Sequence, residues 1–320
     1  MKRLAIGIDI GGQSTKCGVV TRDGIILAQS VITSLIDNFD EYLRVLTYTI
    51  NELTDKTSHI GTPMGIGIGA PNANRIDGTI RFAPNLRWAR DAQGNPTIVY
   101  LADRLEAETG LHVRITNDAN AAARGERIYG IAKGLDDFIM ITLGTGVGGG
   151  IISNKRLVYG HDGFAGELGH VCVERGGRQC NCGLRGCLET YASAMGVART
   201  AREFLERDNS DSLLRKLDPQ KISSKDIYDA AKQGDRMAKE VFLYTGRILG
   251  QALADFVKFS SPQAIVLFGG LTKSREFFHD AMVQAMNDNL LQVWKNKIEI
   301  RYSSLKESDA AILGASSMVW

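Results

Sequence analysis

The sequence predicts an α/β protein built from two related halves that face one cleft, and three observations carry that reading. Short apolar runs alternate with longer segments whose apolar residues recur at helical spacing. A strand, a glycine turn and a second strand open the chain around DIGGQST and recur around LGTGVGGG, with Gly144 following Gly11 by 133 positions. No linker or low-complexity stretch divides the halves, so a shared cleft is expected rather than two independent units.

The elements follow in order. Leu4 to Asp9 is an apolar run ending in a carboxylate, and Thr15 to Val20 is a second run after GGQS, which together read as a hairpin. Arg22, Asp23 and Gly24 signal another turn before IILAQSVIT, so the chain opens as a three-stranded antiparallel meander. Asn38 caps a helix whose apolar positions are Phe39, Tyr42, Leu43, Leu46 and Ile50. MGIGIGAP is a strand stopped by Pro71, and residues 76–82 read as a hairpin around Asp77-Gly78. Residues 97–109 form a helix closed by Gly110, 113–116 a strand, and 119–131 an alanine-rich helix. Strands at 138–143 and 151–153 flank the second glycine turn. Helices are expected at 193–207, 224–233, 236–259 and 275–290, strands at 264–270 and IEIRY, and a last helix opened by Ser308.

Composition narrows the class. A chain of 320 residues has room for about two domains, each with its own core. A net charge of +2 without any basic run argues against a nucleic-acid partner. The opening MKRLAIGIDIGG is broken by Asp9 and enters glycines, which fits a buried first strand better than a leader, so a cytoplasmic protein with no membrane association is expected. In that reducing compartment the cluster of Cys180, Cys182 and Cys187 points to metal more than to a disulfide.

Several motifs carry chemistry. In IGIDIGGQSTK, Asp9 at a strand end can orient a hydrated cation, and Gly11 and Gly12 can expose N–H groups to an anion; alone, the motif fits a plain hairpin turn equally well. Gly144, Thr145 and Gly146 offer a second such nest, and Gly269 and Gly270 a third glycine turn after a buried strand. None matches the Walker or Rossmann pattern, so a nucleotide held between two hairpins is the better reading. In TNDANAAARGE, Asn117 and Asp118 begin a helix at a strand's carboxyl end, where a helix cap is the stronger local reading. Asn85 in NLRW is a candidate group for sugar hydroxyls, and a loop beside a half-buried Trp88 accounts for it as well. His170, Cys180, Cys182 and Cys187 form a Cys3His set suited to tetrahedral zinc with no open position, hence structure rather than metal catalysis. Cys17 and Cys172 read as buried thiols in apolar strand patterns, with Cys172 a fallback ligand.

DIGG, GIGIGAP, NLRW, NDANAAA, LGTGVGGG, GELGH, CxCGxxGCLET, LFGG and ILGA stand in this order over essentially the whole chain, and so arranged they resemble the ROK family, within it the bacterial glucokinase-like group. The resemblance implies an actin-like ATPase domain fold with ribonuclease H-like duplicated halves. One lobe would span 1–116, with a final helix at about 306–320 returning to it, and the other 117–305. Asp118 would be the general base for the sugar 6-hydroxyl. Gly69, Asn85, Asn117, Glu167, His170 and Glu189 would bind the sugar, His170 sharing its ring between sugar and zinc. Asp9 would hold Mg²⁺ through water, with Gly11, Gly12, Gln13, Ser14, Lys16, Gly144, Thr145 and Gly146 around the ATP phosphates and Gly269 and Gly270 near the adenosine.

Two departures from the family pattern stand out. Gln13, followed by Ser14 and Thr15, replaces the threonine that many relatives carry, which leaves the phosphate-facing side chain open. Pro71-Asn72 replaces the PG that relatives often carry over the sugar. The implied function is ATP-dependent phosphorylation of glucose by a homodimer, with N-acetylglucosamine, N-acetylmannosamine, mannose and fructose as alternative substrates. A sugar-responsive repressor is the rival from another class; only eight residues precede Asp9, where such relatives carry a winged helix. A silent sugar-binding protein is disfavoured by an intact Asp118.

Overall fold

The computed structural model describes residues 1–320, the side chain of Glu307 apart. Strands β1 (Lys2–Ile10), β2 (Ser14–Thr21) and β3 (Ile26–Thr33) form the expected meander, followed by helix α1 (Phe39–Thr57) and strand β4 (Gly61–Gly69), which lies parallel to β1. A small pair, β5 (Ile80–Arg81) and β6 (Ile98–Val99), leads to α2 (Leu101–Thr109) and β7 (Val113–Thr116). The first sheet therefore runs β3-β2-β1-β4-β7.

The second half begins with α3 (Asp118–Tyr129), β8 (Phe138–Leu143), β9 (Val147–Ser153) and β10 (Arg156–Leu157). Helices α4 (Glu189–Ala192), α5 (Ala194–Arg207), α6 (Ser224–Lys232) and α7 (Arg236–Ser260) follow, then β11 (Ala264–Phe268), α8 (Arg275–Asp288), β12 (Glu299–Tyr302) and α9 (Glu307–Ser316). Its sheet runs β10-β9-β8-β11-β12. In both sheets two strands are added to one side of a central strand by antiparallel pairing and two to the other side by parallel pairing. The recurrence of glycine turns is a recurrence of a whole sheet.

Each sheet has its own core. Ile6, Ile8, Val19, Leu46, Ile50, Ile66 and Ile68 pack α1 onto the first, while Ile141, Leu143, Val241, Leu253, Ile265 and Leu267 pack α7 onto the second. The central strands are covered on both faces, which is why LAIGI and FIMITL read as near-continuous apolar runs. Between the sheets lies α3. Its Ala123 joins Met140 and Ile152 against the second sheet, and its Gly125 meets Gly314 of α9 so closely that a Cβ there would lie 2.7 Å from the Gly314 Cα. On its other side α9 lies on the first sheet, where a Cβ on Gly67 would collide with the Ala315 carbonyl. Small residues in this layer set the distance between the halves.

The structure corrects several local expectations. The chain does double back around Asp77-Gly78, but the arms are short and begin earlier than residue 76: Ala73 bridges Ile80, the Asn74 N–H donates to the Thr79 carbonyl at 2.7 Å and the Arg81 N–H to the Asn72 carbonyl at 3.1 Å, Ile76 is exposed in the turn, and β5 pairs with β6 on its other side. Residues 98–99 are therefore strand, and α2 begins at Leu101. The last strand of the second hairpin starts at Val147, so its glycines lie in the sheet rather than in a turn. Trp88 is fully buried, stacked on Tyr42 at 4.2 Å between ring centres, and belongs to the core. Cys17 is buried as expected, whereas Cys172 is exposed, because its segment makes only an isolated bridge to Cys187 and is no strand.

Candidate active site

A cleft of about 570 Å³ opens between the two sheets. The ends of the central strands aim into it: Asp9 near the end of β1, and the Gly144–Gly146 turn after β8. Asn117 caps α3, its Oδ1 accepting from the Ala119 N–H at 2.8 Å, and this cap delivers Asp118 to the same cleft. The cap and the functional placement are one geometry. Asn85, Glu167, Glu189, Gly269 and Gly270 also line the cleft. Gly269 has φ of 108°, a left-handed conformation that a side chain would strain.

Other expected residues stand outside that lining. Gly69 lies beneath α3, where a Cβ would sit 3.2 Å from the Ala121 Cβ. Gly11 closes the first turn by donating its N–H to the Ser14 carbonyl at 2.9 Å, and Gly12 packs on Asn85. Gln13 is exposed, its carbonyl accepting from the Ser34 N–H at 3.0 Å. Ser14 begins β2 opposite Thr33, and Lys16 stands opposite Asp9 in the β1–β2 ladder. Thr15 points the other way: its hydroxyl is buried and bonded to Ser34 at 2.9 Å and Tyr42 at 2.8 Å, which removes it as a phosphate contact. Asn72, which does line the cleft and stands where relatives often carry glycine, has φ of 53° and donates its amide to the carbonyls of Arg81 and Phe82. Asparagine tolerates that backbone region better than most residues, so the turn survives the exchange.

Asp9, Asp118 and Glu167 share an electrostatic signature. Burial first, then the neighbouring Asp118 charge, pushes Asp9 up to about 6, with Lys16 acting in the opposite direction. Asp118 is open to small molecules, but the surrounding protein displaces its bulk water and raises its pKa, against a 2.7 Å bond from the Ala119 N–H. Glu167 is also raised, by burial foremost; His170 lowers it, and Asp118 and Glu189 add to the rise. Crowded acids of this kind are complementary to a divalent cation and to hydroxyl donors.

Beside the cleft, one ligand atom from each of His170, Cys180, Cys182 and Cys187 lies within 4.8 Å of all the others. Cys182 and Cys187 sulfurs are 3.7 Å apart and His170 Nδ1 is 3.8 Å from the Cys180 sulfur. A tetrahedron with zinc–sulfur bonds of about 2.3 Å has edges of about 3.8 Å, so donor chemistry and spacing both fit zinc. Glu189 links knot to cleft. Its Oε1 lies 3.0 Å from the Cys180 sulfur and 3.8 Å from His170 Nδ1, while its Oε2 is the group a Cβ on Gly146 would meet at 2.8 Å.

Sequence reasoning missed Arg178. It is buried, pairs with Glu203 of α5 at 2.5 Å, donates to the Thr190 carbonyl at 2.6 Å and to the Thr200 hydroxyl at 2.9 Å, and lies over the Tyr191 ring. It moors the metal loop to α4 and α5. Its partner Glu203 is 25 positions away, so no local pattern announces the pair.

Two copies of one sheet, with acids and glycine turns converging between them, define a protein of the actin-like ATPase domain class. The ROK family model matches residues 5–320, and the chain belongs to that family. It is 37% identical to a glucokinase of Thermotoga maritima over 99% of this chain and 98% of that one. A ROK family glucokinase of Streptomyces griseus, solved with glucose and AMPPNP, superposes with a TM-score of 0.77 at 33% identity over 98% of both chains. A ROK hexokinase of Thermus thermophilus superposes with a TM-score of 0.82 at 27% identity, over 98% of this chain and 97% of that one.

Proposed function

We infer that this chain is an ATP-dependent sugar kinase that converts glucose to glucose 6-phosphate. The observation that carries this reading is a base of raised pKa at the start of α3, opening into the same cleft as Asp9 and the second glycine turn. Full-length likeness to glucokinases supports it. As the 6-hydroxyl oxygen bonds to the γ-phosphorus, Asp118 takes the hydroxyl proton and the bond from that phosphorus to the ADP oxygen breaks. A carboxylate of raised pKa is a stronger base once ionised, and in-line placement supplies further rate. Asn85, Asn117, Glu167, Glu189 and the free ring nitrogen of His170 hold sugar hydroxyls. Gly11 and Gly144 spend their N–H groups inside their own turns, so the N–H groups of Gly12, Thr145 and Gly146 are the ones offered to the ATP phosphates, and Lys16 balances charge beside Asp9.

The Asp9 carboxylate, crowded by Asp118, suits a hydrated Mg²⁺, which when bound neutralises charge on the phosphates. His170, Cys180, Cys182 and Cys187 would hold a structural zinc ion whose closed shell fixes the loop carrying the sugar-binding residues. We also place the lobe boundary between Thr116 and Asn117, assign a cytoplasmic location and assign a homodimeric state. No helix among the described residues is long and apolar enough to cross a membrane. Size-exclusion chromatography with light scattering tests the dimer.

The decisive test is ADP release measured over glucose, mannose, fructose, N-acetylglucosamine and N-acetylmannosamine, for the native chain and for Asp118→Asn. Glucose should be turned over fastest, and the variant should lose about 10³-fold in kcat. Stronger turnover of an acetamido sugar would overturn the substrate, and equal rates for both proteins would overturn the base.

A further inference from the structure

A second cavity, of about 320 Å³, is lined by Arg75, Arg114, Arg124, Lys155, Arg156 and Tyr159 among others. Both halves of the molecule contribute. Arg75 lies in the β4–β5 loop and Arg114 on β7, Lys155 and Arg156 come from the β9–β10 hairpin, and Arg124 projects from α3 between them. Helical periodicity puts Arg124 on the side of α3 away from Asp118, Ala122 and Glu126, which line the cleft. The two cavities thus share a helix and use opposite faces of it.

The charge here is largely unmatched. The side-chain carboxylate paired with any of the five cations is Asp136, 3.3 Å from the Lys155 Nζ. Arg114 donates to the Met318 carbonyl at 2.8 Å, and Arg124 to the main-chain oxygens of Ser317 at 2.9 Å and Trp320 at 3.0 Å, which secures the chain leaving α9. A guanidinium has five N–H donors, so both keep donors in reserve. Among the described residues, the side chains of Arg75 and Arg156 have neither a hydrogen bond nor an ion pair, and the Tyr159 hydroxyl has no hydrogen-bond partner. Burial holds Arg124 below the usual arginine range; the Tyr159 charge acts against this, and Arg114, Arg127 and Arg75 act with it. On a chain of net charge +2, five cations around a single hollow, with one side-chain carboxylate among their partners, are a marked concentration.

We propose that this cavity binds a small phosphate-bearing anion, gripped by cations from both halves of the molecule. Planar guanidinium forks match phosphate oxygens in pairs, and the Tyr159 hydroxyl adds a neutral donor. The source of the phosphate is either a free polyphosphate-type anion or a sugar phosphate.

Calorimetric titration with pyrophosphate, and separately with glucose 6-phosphate, distinguishes these sources. Glucose and AMPPNP are kept in excess so that the cleft is filled. Saturable, salt-sensitive binding is expected, weakened about tenfold by Arg75→Ser or Arg156→Ser and more by the double variant. Tighter binding of glucose 6-phosphate would identify a product-like ligand, and tighter binding of pyrophosphate a free polyphosphate. Arg124→Ala is unsuitable because Arg124 secures the chain after α9, whereas Arg75 and Arg156 make no such bonds; an unchanged melting temperature of the double variant confirms an intact fold. Undiminished affinity in the double variant, or no saturable binding of either probe by the native chain, would overturn the site.

Discussion

The two glycine hairpins occupy equivalent places in equivalent sheets, yet they equip the cleft differently. The β1–β2 hairpin brings charge: Asp9, pushed up to about 6, stands opposite Lys16, and Gly12 leans on Asn85. The β8–β9 hairpin brings no ionisable group. Its Gly144 faces open space, and its Gly146 lies against Glu189, the carboxylate that touches the metal knot. One frame occurs twice, and on the proposed function the halves divide the work. The first would manage the cation and its charge; the second would offer backbone dipoles and be coupled through Glu189 to the grip on the sugar.

That division can be broken by experiment. Asp9→Asn removes the only carboxylate of the first hairpin and should lower kcat by about 10²-fold while leaving the glucose KM nearly unchanged, as steady-state kinetics at saturating Mg²⁺ would show. An equal rise in glucose KM would erase the distinction between the hairpins. Next in size, zinc removal by chelation, or Cys182→Ser, should raise the glucose KM by about tenfold and the ATP KM far less. Parallel losses for both substrates in a protein that stays folded by circular dichroism would argue that the knot serves the whole cleft.

The smallest effect lies in the pH profile. Asp9 and Asp118 both have raised pKa values, so they take up protons at higher pH than ordinary aspartates. The proposed roles need them ionised, and kcat/KM should therefore fall as pH drops through about 6. Raising Mg²⁺ favours the ionised form of Asp9 and should move this limb to lower pH. An acid limb at about 4, where unperturbed aspartates titrate, would show that the first hairpin carries no special charge burden.

Legibility followed the reach of each signal. The Cys3His cluster spans a short glycine-rich segment, and the convergence of its four side chains was readable from ligand type and spacing alone. The Asn117-Asp118 pair reads locally as a helix cap, and a cap it is; the catalytic role proposed for it rests on resemblance, because the cleft depends on a second sheet brought in from distant sequence. The burial of Thr15 was available in the alternation that puts Cys17 and Val19 inward, since residues two apart in a strand share a face. Trp88 was misjudged because its partner Tyr42 lies on another element. Cys172 was misjudged because apolar neighbours imitate a strand where the chain only bridges. Arg178 and the basic cavity were invisible because their members converge only in three dimensions.

Helix α3 touches both sheets and α9 through alanine and glycine, and it carries Asp118 at its first turn. In mechanical terms it is an axle of narrow gauge. When two bodies turn about an axle, points far from it sweep wide arcs and points on it barely travel. Asp118 is mounted there, so any turning of one sheet against the other would displace it least.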